Sequence, residues 1–524
     1  MAAVDTATQT VTIKSRDPSK IKAVFPEYEV GFTDTGAEVI RVPHTIEAIR
    51  VLANLGVKTK NLSPINYYYR FPKIKGVYAP MKHQIETARF LSENPRAFCL
   101  NQPRTGKTAS VIMALDFLKQ QGIAKSILVV APRSCLRDVW ETEIFGLVPS
   151  MSVAVLHGTK QQRLKLLAQN YDVFIINPDG IKVISAELQK AVEQGRINVV
   201  VFDEVTDFAN PQSERWKCAN RVTKTAKYVW GLTGTPGGPE GVYGMVKLIL
   251  PHNMDCSFTS WRDRTMVQVN THKWVNRSSY LESIFAVMQP NICFKKDDIM
   301  DLPPLQQFDR MGPLSKEQEG LYTAMRKFMR SDMHNITAQN AAVATSKLMQ
   351  IATGAVKSDE NTIQHLDITP RMEVLLDIIR EAEYKVIVFA PFTGVIDLLE
   401  REIGKHYSCA VVDGRTAGHK RDAIFNSFRL QKDPHVLIAH PKTMSFGLEL
   451  ASADTIVFWG APLNGTFVYQ QAIERINSKL QKSKTPAVVH LYSTPIESKL
   501  FTALKAGIDI NTAVLDIFKE VISE

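Results

Sequence analysis

The chain has 524 residues, 45% of them hydrophobic and 22% charged, with a formal net charge of +10. That length exceeds one ordinary core and predicts roughly two to four domains of a soluble globular protein, with no apolar run near the ~18 residues of a membrane span and no apolar segment of the secretory-signal kind at the start. Six cysteines without a C-x-x-C pair argue against a zinc site or a disulfide framework and for a reducing compartment, while the basic excess fits a polyanion partner and decides nothing alone.

Residues 1–75 read as a small N-terminal α+β domain. "EYEVGFTDTGAEVIRVP" predicts two short strands around an Asp34-Thr35-Gly36 turn. "TIEAIRVLANLGV" predicts an amphipathic helix with Ile46, Ile49, Val51, Leu52 and Leu55 toward a core, ending at Gly56. "SPINYYYRFPKIKGVYAP" reads as a linker. Its run Tyr67 to Lys73 joins rings to bases, as single-strand binders do, but packing of the rings against the following lobe is the favoured reading.

From Met81 the apolar runs "RAFCLN", "SILVVAP", "VAVLHG", "DVFIINP", "INVVVFDE" and "KYVWGLTGTP" lack polar alternation. They predict parallel strands buried on both faces, joined by crossover helices. The rhythm stops after Pro251 and resumes with "YKVIVFAPF", "SCAVVDG", "HVLIAHP", "ADTIVFWG" and "AVVHLYST". The expected fold class is therefore α/β, with two parallel-sheet lobes at 76–251 and 376–524 and a mostly helical insertion at 252–375.

The stretch "CLNQPRTGKTAS" sits between a strand and the helix "TASVIMALDFLKQQG", whose Val111, Ile112, Leu115 and Leu118 share a face. Thr105, Gly106, Lys107 and Thr108 are thus placed as a phosphate loop, with backbone N–H groups and a helix dipole aimed at phosphates. Lys107 is expected on the β- and γ-phosphates and Thr108 on Mg²⁺. Asn101 and Arg104 stand where such loops usually carry small residues, so alone the motif is as readily chance. "INVVVFDE" adds Asp203 and Glu204 at the end of a buried strand, where α/β sheets bind ligands. Asp203 suits the Mg²⁺ shell and Glu204 a general base. Together the two motifs predict an ATPase.

In order, the motifs resemble those of the superfamily-two helicases, and within them the Swi/Snf-like DNA translocases of compact phage and bacterial type, over about Pro80 to Leu504. "APMKHQIETARFL" is similar to the glutamine motif, which implies that Gln84 reads the adenine edge. "VVAPRSCLRDVWETEI" resembles motif Ia, with Trp140 and Glu143 in place, and "LTGTP" resembles motif III. "PLSKEQEGLYTAM" and "SKLMQIATGAV" resemble the helical segment between lobes. "KVIVFAPF", "HPKTMSFGLELASADTIVFW" and "YQQAIERI" resemble motifs IV, V and VI. The resemblance implies two RecA-like lobes with ATP between them, stepping along one strand of duplex DNA. It also implies that Gly447 and Gln471 lie with the nucleotide and that Arg475 neutralises the γ-phosphate, a role that contributes ~10³–10⁵-fold in related chemistry. "APRS", "INP", "GRT" and "HPKT" follow predicted strands and offer Arg133, Ser134, Asn177, Arg415, Thr416, Lys442 and Thr443 for phosphate contacts.

Three departures stand out. Arg104 replaces the loop glycine, Thr206 the usual histidine after the carboxylates, and Ser478 the second motif VI arginine, with Lys479 beside it as a point charge. The expected function is an ATP- and Mg²⁺-dependent, monomeric motor on double-stranded or branched DNA. It would act in replication, recombination or repair, alongside proteins of those processes, in a bacterial or phage-infected cytoplasm. The alternatives are an ATP-gated DNA clamp that hydrolyses little, and an RNA helicase. The N-terminal domain weakly resembles the substrate-recognition modules of fork-remodelling translocases.

Overall fold

The computed structural model describes residues 2–507 other than 16, 34–35, 75–78, 104, 235, 271–272, 300–304, 332–337, 358–361, 445–449, 464 and 478–480. The chain divides into two units, Met1–Ile299 and Met300–Glu524. Among the described residues no helix is long and apolar enough to cross a membrane.

The first unit opens on β1 (Ala2–Asp5), β2 (Thr10–Ile13), β3 (Glu29–Phe32) and β4 (Glu38–Pro43). They pair antiparallel in the order β1-β2-β4-β3. Alternation turns Val11, Ile13, Ile40 and Val42 to one face, where they share a core with residues of α1 (Pro18–Val24) and α2 (Ile46–Asn54). The Thr45 hydroxyl caps α2 by accepting from the Ala48 N–H at 3.1 Å. β3 and β4 lie where expected, and Asp34 and Thr35 of the turn lie outside the described residues. β1 and β2 are additions, since their four-residue alternations in a Thr-rich run give little signal. Ile46, Ile49 and Leu52 are buried, but Leu55 is 37% exposed because it falls past the last full turn of α2. The expected linker carries a short helix, α3 (Ile65–Tyr68). Tyr69 behind it is buried, its ring 5.0 Å from that of Phe71 and 5.9 Å from that of Phe117.

Next come α4 (Lys82–Glu93), β5 (Arg96–Cys99), α5 (Lys107–Gln120), β6 (Ser126–Val130), β7 (Val153–Val155), β8 (Val173–Ile176), β9 (Ile197–Asp203) and β10 (Tyr228–Leu232). Their Val- and Ile-rich runs form a parallel sheet, whose middle strands β6, β8, β9 and β10 are buried almost throughout. α5 is buried on every side from Ala109 to Leu118, not on one face, because α4 packs along it.

The stretch expected as a mostly helical insertion also supplies strands. β11 (Met266–Asn270) and β12 (Lys273–Asn276) form a hairpin. β13 (Asn291–Ile292) pairs with β5, completing the order β13-β5-β10-β9-β6-β8-β7. Two polar residues within "QPNICF" carry no strand periodicity, so this edge was not legible.

In the second unit β14 (Gln306–Met311) precedes a small hairpin of β15 (Ala355–Lys357) and β16 (Ile363–His365). β17 (Lys385–Phe389), β18 (Cys409–Val412), β19 (Val436–Ala439), β20 (Ala453–Phe458) and β21 (Ala487–Tyr492) join β14 in a parallel sheet of order β14-β21-β20-β17-β19-β18. Two parallel-sheet lobes and a small antiparallel domain are thus present, as expected.

Candidate nucleotide and nucleic-acid site

The loop between β5 and α5 turns tightly, with the Thr105 N–H and hydroxyl both donating to the Gln102 carbonyl, at 3.4 and 2.9 Å. Gly106 caps α5 with φ +78°, and a Cβ there would meet Nε2 of Gln84 at 2.0 Å. The left-handed φ thus favours glycine there, and any side chain would displace the Gln84 amide. Lys107 opens α5 and donates from Nζ to the Asn101 carbonyl at 2.8 Å. Asn101 itself is buried, giving Nδ2 to the Thr87 hydroxyl at 2.9 Å and accepting from the Phe294 N–H at 3.0 Å. It occupies the glycine position because its side chain ties α4 to the strand edge. Arg104 lies outside the described residues.

Gln84 is 3% exposed; its Oε1 accepts from the Met81 N–H at 2.9 Å and its Nε2 faces the Thr105 carbonyl at 3.4 Å. Both ends of the amide are spent on the α4 cap and the loop, which differs from the expected presentation to a base. His83, not singled out from the sequence, meets the same Thr105 carbonyl at 2.8 Å.

Register sets Leu232 of β10 beside both Cys99 of β5 and Asp203 of β9, so the three strands end level. With strands ~4.8 Å apart, the phosphate loop and Asp203 lie ~10 Å apart across β10. The fully buried Trp140, in the π-helical turn Leu136–Glu141, donates Nε1 to Oδ2 of Asp203 at 2.8 Å. Burial raises the Asp203 carboxyl above its ordinary value, and this bond acts in the opposite sense. Glu204 follows with φ +52°, a left-handed backbone that costs a non-glycine residue ~1–3 kcal/mol. After β10, the Thr233 N–H donates to the Cys99 carbonyl at 3.1 Å. A Cβ on Gly234 would stand 2.6 Å from Pro103, so Gly234 is seated against the loop between β5 and α5. Thr235 lies outside the described residues.

The other half of the same sheet edge is basic. Arg133 after β6 is exposed, and Ser134 lies in the adjoining 3₁₀ turn, its side chain outside the described residues. Asn177 caps the helix Pro178–Val183 without a side-chain capping bond. An open groove beside edge strand β7 is lined by Arg137, His157, Gln162, Lys165 and Tyr171 among others. Burial lowers the His157 imidazole below its usual value, as do the nearby Arg133, Arg163 and Arg137 guanidiniums. Arg163 is buried and shapes the groove rim by donating to the Leu156 and Gly158 carbonyls, at 2.5 and 3.0 Å.

In the second unit Arg415 is not a free cation. Its guanidinium reaches the Asp397 carboxylate at 2.5 and 3.1 Å and Asp413 at 2.8 Å. Its pKa is raised, chiefly by Asp397 and then by Asp413. The Thr416 hydroxyl accepts from the Asp413 N–H at 3.1 Å, and the Thr443 hydroxyl faces the His440 carbonyl at 2.7 Å, so both serve their own turns. Lys442 is exposed. Gln471 lies on the helix Thr466–Ile473, and buried Arg475 folds back on it, Nη2 to Oε1 and Nε to the carbonyl, both at 3.1 Å. The guanidinium is thus turned inward, 3% exposed, just past the end of that helix. Gly447, Ser478 and Lys479 lie outside the described residues.

Residues 83–367 match the family model described as the SNF2-related domain, and residues 370–478 match the helicase conserved C-terminal domain. The chain belongs to the SNF2-related family. An uncharacterized ATP-dependent helicase of Mycoplasma genitalium is 24% identical to this SNF2-related chain over 420 residues, covering 78% of the chain and 39% of that protein. The SWI/SNF-related matrix-associated actin-dependent regulator of chromatin subfamily A member 1 of Mus musculus is 22% identical over 441 residues, covering 78% and 40%. The chain thus spans about two-fifths of the length of these curated relatives. A solved structure, the Sulfolobus solfataricus SWI2/SNF2 ATPase core in complex with dsDNA, is similar at 19% identity and a TM-score of 0.40, over 83% of this chain and 92% of that one.

Sequence reading of the SNF2-related chain missed His83 and the groove residues Arg137, His157 and Lys165. A signal for the groove was present: "VAVLHG" is followed by the basic run "TKQQRLKLL", at the same strand end as the other loops. His83 gave none, because its partner is a backbone carbonyl 22 residues away.

Proposed function

We propose that this SNF2-related chain is an ATP- and Mg²⁺-dependent motor that moves along double-stranded DNA. The observation that carries the reading is the level ending of β5, β10 and β9, with the left-handed Gly106 and Lys107 at one side and Asp203-Glu204 at the other. Lys107 would exchange the Asn101 carbonyl for β- and γ-phosphate oxygens, with the N–H groups at the head of α5 around them. The Thr108 hydroxyl and the Asp203 carboxylate are oxygen donors of the kind a hard divalent cation takes; they would hold Mg²⁺, which when bound neutralises phosphate charge. Glu204 polarises the attacking water. Arg475 supplies the second-lobe cation, which requires its guanidinium to leave Gln471.

The basic half of the edge meets the DNA backbone through Arg133, Asn177 and the groove, and the second unit adds the exposed Lys442. Such contacts position without reading sequence. The resemblance of the N-terminal unit to substrate-recognition modules supports forked or branched DNA as the preferred substrate, and replication, recombination or repair as the process. The motif resemblance supports a compact phage or bacterial type acting as a monomer in the cytoplasm.

The test is ATP hydrolysis with and without duplex DNA, beside Lys107→Ala and Glu204→Gln. DNA-stimulated turnover lost in both variants is the expected result; turnover unchanged in both sinks the site assignment. A second reading, an ATP-gated clamp, is favoured by one observation, the inward fold of Arg475 on Gln471. Single-turnover assays distinguish them: the clamp binds ATP through Lys107 and hydrolyses almost none.

A further inference from the structure

Two helices start at the phosphate loop, and both are gripped further along by residues that precede the matched family domains. α4 presents His83 and Gln84 to the Thr105 carbonyl, at 2.8 and 3.4 Å. About 14 Å along, its last carbonyls are taken by Arg50 of α2, whose Nε donates to Glu93 O at 2.5 Å and Nη2 to Ser92 O at 3.4 Å. The same guanidinium reaches the Tyr228 hydroxyl of β10. It thereby satisfies orphan carbonyls at a helix C-terminus, where a cation is also favoured by the dipole. Lys60 adds an ion pair to Glu86 of α4 at 2.6 Å. On α5, which opens with Lys107, buried Asp116 accepts the Tyr69 hydroxyl at 2.8 Å and Nε2 of Gln120 at 2.9 Å.

We infer that Arg50 and Tyr69 are positioning residues for the nucleotide loop, acting through α4 and α5. The inference rests on the reading of residues 101–108 as that loop. A packed helix moves as a body, because interiors are close-packed and leave little slack. An axial shift of α4 carries Gln84 with it, and Gln84 already fills the space that a Gly106 side chain would need. The Thr105 carbonyl and the Gly106 turn must follow. Arg50 fixes where α4 ends, and Tyr69 fixes α5 against the same N-terminal unit, so that unit sets the geometry presented to phosphate. Neither residue lies within residues 83–367 or 370–478, which match the family.

The experiment uses the full chain with Arg50→Ala, Arg50→Lys and Tyr69→Phe, and measures KM for ATP, kcat, duplex affinity and the thermal midpoint. Arg50→Ala should raise KM for ATP about fivefold, the low end of measured coupling between sites, with duplex affinity unchanged. Arg50→Lys should recover part of that, since it keeps the charge and loses the fork. Tyr69→Phe keeps the ring packing and should raise KM in the same direction, which carries the test should Arg50→Ala fail to fold. A lowered midpoint with KM and kcat unchanged in all foldable variants overturns the inference and leaves these contacts as packing alone. Failure of the nucleotide reading is separately visible, as ATP binding by the parent chain that is absent or indifferent to Lys107→Ala.

Discussion

Gln84 and Gly106 cannot both keep their places if Gly106 gains a side chain, because its Cβ would lie 2.0 Å from the Gln84 Nε2. The left-handed φ of +78° adds strain, ~1–2 kcal/mol for a residue with a Cβ. Gly106→Ala should therefore weaken ATP binding by about tenfold or more, the equivalent of ~1.4 kcal/mol. Adding Gln84→Ala removes the collision but not the strain, so the double variant should recover only part of the affinity. Titration with a fluorescent ATP analogue checks both; equal affinity for Gly106→Ala and parent would exclude this loop from nucleotide binding.

The Trp140 bond to Asp203 predicts a pH effect. Burial raises the Asp203 carboxyl, and the indole N–H is the leading influence that lowers it. With its folded value above the ordinary one, ionised Asp203 costs stability, and acidification relieves that cost. Activity runs the other way, since cation binding needs the carboxylate. Trp140→Phe removes the lowering bond, raises the carboxyl further, and should move the acid limb of the kcat/KM profile to higher pH. An unmoved limb would show that Asp203 does not limit turnover on the acid side.

These two sites show what a sequence can and cannot disclose. The strand runs were legible because buried β-branched stretches carry them, and local pattern likewise put Lys107 at a helix start and Asp203 at a strand end. Asn101 looked like a defect because its function is tertiary, joining Thr87 to the Phe294 backbone. Gln84 came from a motif resemblance and Arg415 from a loop after a predicted strand; neither pattern discloses that Gln84 faces the Thr105 carbonyl or that Arg415 pairs with Asp397 and Asp413. No local pattern announces a partner that lies far along the chain. β1, β2 and β13 escaped for a different reason, being too short for period-two alternation to register.

The pairing of Arg415 also ranks the proposed DNA contacts. Two carboxylates compensate its charge, whereas Arg137, with a side chain 70% exposed, meets Glu141 at 3.8 Å. Arg137→Ala and Lys165→Ala should each lower the slope of log K against log salt by about one, while Arg415→Ala should leave the slope nearly unchanged. Binding isotherms over a salt series measure this. An Arg415→Ala effect equal to the groove variants would mean that DNA displaces the two aspartates.

Arg371 and Glu497 are both fully buried and meet at 2.9 Å, Nη2 to Oε1. Arg371 also donates to the carbonyls of Ala352 and Leu491, at 3.0 and 2.9 Å, and reaches that of Trp459. One side chain thus ties the ends of β20 and β21 to the helix Thr369–Glu381 that holds it and to the helix Ala338–Thr353. Arg371→Ala strands a buried carboxylate and should cost about 3–5 kcal/mol. A lone buried pair can often be replaced by apolar residues at little cost, but here that replacement takes a donor from three buried carbonyls, of which only Ala352 keeps a second, Gln318 Nε2 at 3.1 Å, among the described contacts. Arg371→Met with Glu497→Leu should accordingly remain well below the parent in stability. Urea unfolding of the three proteins, followed by tryptophan fluorescence and circular dichroism, measures the difference; a double variant as stable as the parent would mean that those carbonyls find other donors.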